Sequence, residues 1–128
     1  RKVRGVGVMG TVQGDIHDIG KTLVSTMLSA SGYSVFDLGT DVAPEKFILE
    51  AEARGADFIG ASALLTTTMQ AQKELVDLLC RRGEREKYLV IVGGAPCSSE
   101  WAEAAGADGY ARDAVAAVEL VERLLAGK

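Results

Sequence analysis

The chain has one histidine, one tryptophan, two prolines and two cysteines among 128 residues, and aromatic residues make up 5% of it. Each shortage excludes something. Cys80 and Cys97 are far apart and neither belongs to a CxxC pair, so no disulfide framework or cysteine-cage zinc site can be built. That usage reads as cytoplasmic. Cys80 falls in a helical pattern and is expected to be a small buried apolar residue. One histidine cannot by itself cage a zinc ion. No apolar run approaches the roughly 18 residues of a membrane span, and no secretory leader pattern is visible. Basic residues are also short. Fourteen Lys and Arg against 18 Asp and Glu give a net charge of −4, and the basic residues are scattered apart from the short Arg81-Arg82 pair, which argues against a nucleic-acid surface. Internal repeats, low-complexity segments and linkers are absent.

What is present is apolar residue and glycine. Hydrophobic residues make up 48% and there are 15 glycines, clustered where loops are expected. Residues 1–128 are the size of one domain. The hydrophobic periods alternate between strand and helix. Strands are expected at 3–9, 33–38, 57–62, 88–92 and 109–111. Between and after them helices are expected at 18–31, from Pro44 to Gly55, at 66–82, from Ser98 or Ser99 to Gly106, and after Asp113. In the first helix Ile19, Leu23, Val24, Met27 and Leu28 share one face, Gly32 closes it, and Asp18 is placed to cap it. In the third helix Met69, Leu75, Val76 and Leu79 point inward, and in the last Val118, Val121 and Leu125 repeat at helical spacing. Five strand–helix alternations mean a parallel sheet covered on both faces. The expected fold is α/β, a flavodoxin-like or Rossmann-like doubly wound sheet of order 2-1-3-4-5, with its ligand crevice at the carboxyl ends of strands one and three.

That rule places chemistry in the loops after strands one, three, four and five. The loop after strand two is less distinctive. After strand one stands Gly14-Asp15-Ile16-His17-Asp18-Ile19-Gly20-Lys21, which holds the single histidine. Gly20-Lys21-Thr22 suggests a phosphate loop, but five residues separate Gly14 from Gly20 where that motif needs four. A plain strand-to-helix turn would also use these glycines. The third reading is a metal ligand. An imidazole coordinates through one nitrogen while a carboxylate on the other fixes its tautomer, and Asp15 is placed to be that partner. One such ligand suffices for a metal held in a macrocycle with an axial position open. After strand three, Ser62 could donate to a ligand or to the Asp15–His17 pair, and Leu64 could form an apolar wall; Thr66 to Thr68 could equally cap the next helix. After strand four, Gly93-Gly94 would let a ligand approach the backbone.

Asp15-x-His17-x-x-Gly20, Ser62-x-Leu64 and Gly93-Gly94, in this order, resemble the three motifs of cobalamin-binding domains of the histidine-on kind. The strings from Gly14 to Lys21, Ser62 to Met69, Gly93 to Pro96 and Gly106 to Tyr110 are similar to those of methyltransferase corrinoid proteins and of the cobalamin domain of methionine synthase. The resemblance covers nearly the whole chain. It implies cobalamin, carried as methylcobalamin or cob(I)alamin, with the lower base displaced and His17 as axial ligand to cobalt. It implies that Gly14, Asp15, Ile16, Asp18 and Ile19 form the loop around that ligand. Asp15 would partner His17, Ser62 would extend the relay or bind the tail, and Gly20 would give the nucleotide tail room. Thr66 and Thr68 would contact nucleotide or corrin, and Leu64, Gly93, Gly94, Tyr110 and Ala114 would line the channel. The chain would catalyse nothing complete alone. It would carry a methyl group between a substrate-specific methyltransferase and an acceptor methyltransferase of tetrahydrofolate or thiol type. Protonation of the Asp15–His17 unit would weaken the ligand, so demethylation is expected to take up a proton. Such proteins have an N-terminal helical cap; strand one begins within a few residues of Arg1, so the cap is expected to lie outside this chain or to be lacking.

Three alternatives differ in class. The cobalamin subunit of an adenosylcobalamin mutase shares the motifs, but the strings quoted above look closer to methyl carriers. A cobalamin-dependent sensor would need a DNA-binding segment, which these residues do not contain. A receiver domain would need an Asp at the end of strand three, where Ser62 stands, and a flavin site would need stacking aromatics that the loops lack.

Overall fold

The strands form because β-branched and small apolar residues run without charge through Val6–Thr11, Phe58–Ser62 and Leu89–Gly93, the composition of strands buried on both faces. A computed structural model describes residues 3–128. In it β1 is Val6–Thr11, β2 Ser34–Asp37, β3 Phe58–Ser62, β4 Leu89–Gly93 and β5 Gly109–Ala111. All pair in parallel, in the order β2-β1-β3-β4-β5. Helices α1 (Ile19–Ala30), α2 (Pro44–Arg54), α3 (Thr66–Arg81), α4 (Ser99–Ala105) and α5 (Ala114–Ala126) connect and follow them. The register aligns four strand ends in one row: Thr11 pairs with Ser62, Ser62 with Gly93, and Gly93 with Ala111. The loops that follow these ends therefore open at one edge.

Alternate strand residues feed two cores. Val8, Ile59, Ala61 and Val90 pack with Phe47, Ile48, Leu75 and Leu79 of α2 and α3. Met9, Phe58 and Ile91 pack on the opposite face with Leu28, Leu120 and Val121 of α1 and α5. Pro44 opens α2 and Gly55 ends it in the left-handed region, as expected. Ser98, of the two candidates, caps α4 by accepting from the Trp101 N–H at 3.0 Å, and Asp113 caps α5 through Ala116 N–H at 2.8 Å.

Several local expectations fail for visible reasons. β1 starts at Val6, where its ladder to β2 begins, and runs on to Thr11 because Gly10 and Thr11 pair with Ala61 and Ser62. β2 and β4 shift by a residue or so, and a 3₁₀ turn at Arg85–Lys87 precedes β4. Asp18 sits at the N-cap of α1, but its side chain makes no cap bond; its carbonyl accepts from Thr22 N–H instead. Gly32 follows the C-cap Ser31 with φ +102°. In α5 the buried residues are Ala117, Leu120 and Val121, while Val118 and Leu125 are half-buried. Cys80 is exposed, one step around the helix from the buried stripe that ends at Leu79. The largest departure is α1. Ile19 and Leu23 are exposed, and its buried residues are Lys21, Ser25 and Leu28. Lys21 Nζ reaches Asp37 Oδ1 at 2.5 Å, at the end of β2.

Candidate functional site

The loop between β1 and α1 turns at Gly14, whose φ of +88° suits a residue without Cβ. The turn drives Asp15 inward until it is 0% exposed. A buried carboxylate must have its lone pairs satisfied. Oδ1 accepts from the His17 backbone N–H at 3.1 Å and lies 2.8 Å from His17 Nδ1. Oδ2 accepts from Leu64 N–H at 2.8 Å and from the Thr68 hydroxyl at 2.7 Å. Burial pushes the Asp15 carboxyl up; these four donors pull it down further, and it ends well below the ordinary carboxylate range. Asp15 is therefore an acceptor only. Its contact with Nδ1 requires the hydrogen to sit on that nitrogen, and in the neutral ring Nε2 keeps a lone pair. The His17 side chain is 48% exposed, so this lone pair is accessible.

His17 stands at the edge of a cavity of about 690 Å³ between α1 and α5, above the β1, β3 and β4 carboxyl ends. Its floor is Met9, Gly60, Ala61 and Ile91, and its walls are mostly apolar. Ile16 and Ile19 at its mouth are 78% and 79% exposed, and Leu64 is exposed beside them. Apolar side chains presented to solvent around a cavity mark a binding face. Among the described residues no group of three or more His, Cys, Asp or Glu could cage a bare ion. The donor set, one oriented imidazole over an apolar channel, fits a metal whose other positions belong to a macrocycle.

The structure gathers most of the sequence candidates. Ile16, His17, Asp18, Ile19 and Gly20 line the cavity from the first loop and α1. Ser62, Leu64, Gly93, Gly94 and Ala114 line it from the other three loops. Gly94 has φ +121°, and a Cβ there would stand 1.7 Å from the Ala63 carbonyl oxygen, so only glycine lets the loop after β4 lie on the loop after β3. Asp15 lies behind His17, and Gly14 serves the turn. Three residues fall elsewhere. Thr66 is exposed and Tyr110 half-buried, and neither lines the cavity. Thr68 is turned inward onto Asp15, so Thr68 and not Ser62 extends the Asp15–His17 relay. Ser62 remains a cavity wall.

Other residues at the site belong to none of the three sequence motifs. Thr11, 1% exposed at the end of β1, donates its hydroxyl to the His17 carbonyl at 2.7 Å. Its place in the strand-end row, directly before the histidine loop, was the available clue. Leu23 and Val24 of α1, and Ala117 of α5, complete the side walls, and Arg112 stands exposed at the rim.

Residues 5–119 match the family model described as the B12 binding domain. A corrinoid protein of Desulfitobacterium hafniense (strain Y51) is 54% identical over 122 residues, which is 95% of this chain and 56% of that protein. Dimethylamine corrinoid protein 2 of Methanosarcina acetivorans is 51% identical over 127 residues, 99% of this chain and 59% of that protein. The structure of the methanol:cobalamin methyltransferase complex MtaBC from Methanosarcina barkeri superposes with a TM-score of 0.92 at 33% identity, covering 99% of this chain and 48% of that one. The chain thus spans less than two thirds of the length of these relatives. It belongs to the B12-binding domain family, and its cofactor is a corrinoid.

Proposed function

We propose that this domain holds its corrinoid with the lower base displaced and His17 Nε2 in the lower axial position, and that it carries methyl groups between two methyltransferases. One partner would be specific for a methyl donor and the other for a tetrahydrofolate- or thiol-type acceptor. The observation that carries the proposal is the Asp15–His17 contact of 2.8 Å, which leaves Nε2 bare at the edge of the cavity. Bound there, the corrinoid supplies a cobalt centre that can accept and give up a methyl group. The chain's own residues prepare the lower side of the site. Asp15 keeps the proton on Nδ1 and orients the ring. Leu64 N–H and the Thr68 hydroxyl hold Asp15 as a carboxylate. Ile16, Ile19 and Leu64 offer the apolar surface that excludes water from the ligated nitrogen. Gly93 and Gly94, with Gly20 opposite, leave a backbone-walled passage for a nucleotide tail. The similarity to a dimethylamine corrinoid protein and to a methanol:cobalamin methyltransferase complex supports methyl transfer as the purpose.

The test is to load the protein and His17→Ala with cobinamide, which has no lower base of its own, and reduce to the cobalt(II) state. Electron paramagnetic resonance is expected to show coupling to one nitrogen in the wild type and none in the variant. Coupling that persists in His17→Ala would remove the axial role.

A further inference from the structure

The loop between β2 and α2 looks unremarkable in sequence, yet it is stitched to the histidine loop at four points. Thr11 N–H donates to Gly39 O and Val42 N–H to Thr11 O, both at 2.9 Å. Asp41 N–H donates to Asp15 O at 2.9 Å. Gly14 N–H donates to Asp41 Oδ1 at 2.8 Å. Only the last of these uses a side chain. Asp41 is also the one non-glycine among the described residues with a positive φ, 55°. A residue with a Cβ is strained in that region, although Asp and Asn tolerate it better than most. Glycine would fit the backbone with less strain but would have no carboxylate to offer.

We infer that Asp41 is a positioning residue for His17, acting through the backbone of Asp15; the inference rests on the axial role proposed above. Its two bonds bracket Asp15, one on the preceding N–H and one on the residue's own carbonyl. On the far side, Leu64 and Thr68 fix the same residue through its carboxylate. Asp15 is thus held from the β2–α2 side by its main chain and from the β3–α3 side by its side chain. The direction of Oδ1, and with it the ring of His17, follows from both. Releasing the main-chain clamp leaves Asp15 buried but lets the 14–15 peptides turn, so the imidazole samples orientations in which Nε2 no longer meets the axial direction. The strain at Asp41 is the kind found where a side-chain contact is worth more to the site than the relaxed backbone.

Two variants separate the clamp from the strain and the charge. Asp41→Gly relieves the backbone and removes the acceptor; Asp41→Asn keeps an Oδ1 acceptor and the tolerance for positive φ but drops the charge. Melting temperature, cobinamide affinity and the nitrogen coupling of the cobalt(II) form are measured for each, beside His17→Ala. Asp41→Gly is expected to melt at or above the wild-type temperature. It should bind cobinamide about fivefold to tenfold more weakly, the scale of one lost hydrogen bond, and show nitrogen coupling in a smaller share of molecules. Asp41→Asn is expected to behave as wild type in all three. Wild-type affinity and coupling in Asp41→Gly would overturn the inference. So would equal losses in both variants, which would make charge the cause, or a large fall in melting temperature in both, which would make the residue merely structural. Coupling retained in His17→Ala would instead overturn the axial reading on which all of this stands.

Discussion

Replacing Thr68 by valine tests the relay behind His17 most directly. The two side chains are close in shape, so the variant opens no cavity and removes one donor. The hydroxyl of Thr68 has two acceptors in reach, Asp15 Oδ2 at 2.7 Å and Leu65 O at 3.0 Å. The shorter contact to a charged acceptor wins, since such bonds are about twice as strong as neutral ones. Losing it from a fully buried carboxylate should cost about 2 kcal/mol at neutral pH, or about 8 °C in melting temperature for a domain of this size. Thr68→Ser keeps the hydroxyl and should lose well under half as much. The pH dependence follows from Asp15. Its folded-state value lies well below its ordinary one, so its contribution to stability is complete above about pH 4 and is lost as pH falls through the folded-state value. In the valine variant the depression is smaller. The gap between wild type and variant should therefore be full at pH 7 and 5 and shrink as the solution is taken below pH 4. Urea unfolding followed by the fluorescence of Trp101 at several pH values measures this. A Thr68→Val protein as stable as Thr68→Ser, or a gap that stays constant into acid, would refute the assignment of the hydroxyl to Asp15.

Two further substitutions probe the channel. Gly20→Ala places a methyl where nothing stands within 4 Å, so it should stabilise α1 by about 0.5–1 kcal/mol while weakening corrinoid binding severalfold, because Gly20 lines the cavity; thermal melts and spectrophotometric titration read the two effects, and unchanged affinity would mean that no tail passes there. Gly94→Ala forces a Cβ to within 1.7 Å of the Ala63 oxygen at a φ of +121° and should cost more than about 3 kcal/mol; a variant that melts within a few degrees of wild type would show that the two loops can part.

The sheet order was legible because strand and helix alternate and most breaks carry a glycine, proline or capping residue that has a mechanical reason to be there; the break at Ala63–Leu65 is the exception. The site edge was legible because the winding rule sends every distinctive loop to the carboxyl ends of the strands, and the paired row of Thr11, Ser62, Gly93 and Ala111 is that rule in register. What remained closed was orientation. Ser62, Thr66, Thr67 and Thr68 all carry hydroxyls within one turn of the site, and composition cannot say which meets Asp15. The helix that begins at Thr66 decides it: residues two apart on a helix lie on nearly opposite sides, so Thr66 faces solvent when Thr68 faces the core. The role of Asp41 was closed for another reason. It depends on a backbone angle and on a partner 27 positions away in the chain, neither of which has a local pattern.

The apolar face of α1 does not pack on the sheet at Ile19 and Leu23. Ile19 and Leu23 recur at the spacing of a core-facing helix, yet the helix turns Lys21 and Ser25 to the sheet and those two to the cavity. Lys21 explains how this is stable. Its buried ammonium pairs with Asp37 Oδ1, which also accepts from Gly39 N–H at 2.9 Å, so the charge that the helix carries inward is met at the end of β2. Leu28, two turns further on, then packs conventionally with Phe58 and Val121. The helix is thus tethered by a polar contact at its first turn and by an apolar one at its last, and its remaining apolar stripe looks across the cavity toward Ala114 and Ala117. Hydrophobic periodicity reports that a face is meant to be covered; it does not report by what. Complete burial of such a side chain is worth on the order of 1.5–3 kcal/mol, and most of that remains to be gained at Ile16 and Ile19 but only about half at Leu23 and Leu64. A corrinoid that covered them would stabilise the folded state through linkage, to the extent that its binding exceeds the cost of association. On the axial reading proposed above, the stripe on α1 is the apolar surface that a bound corrinoid would cover.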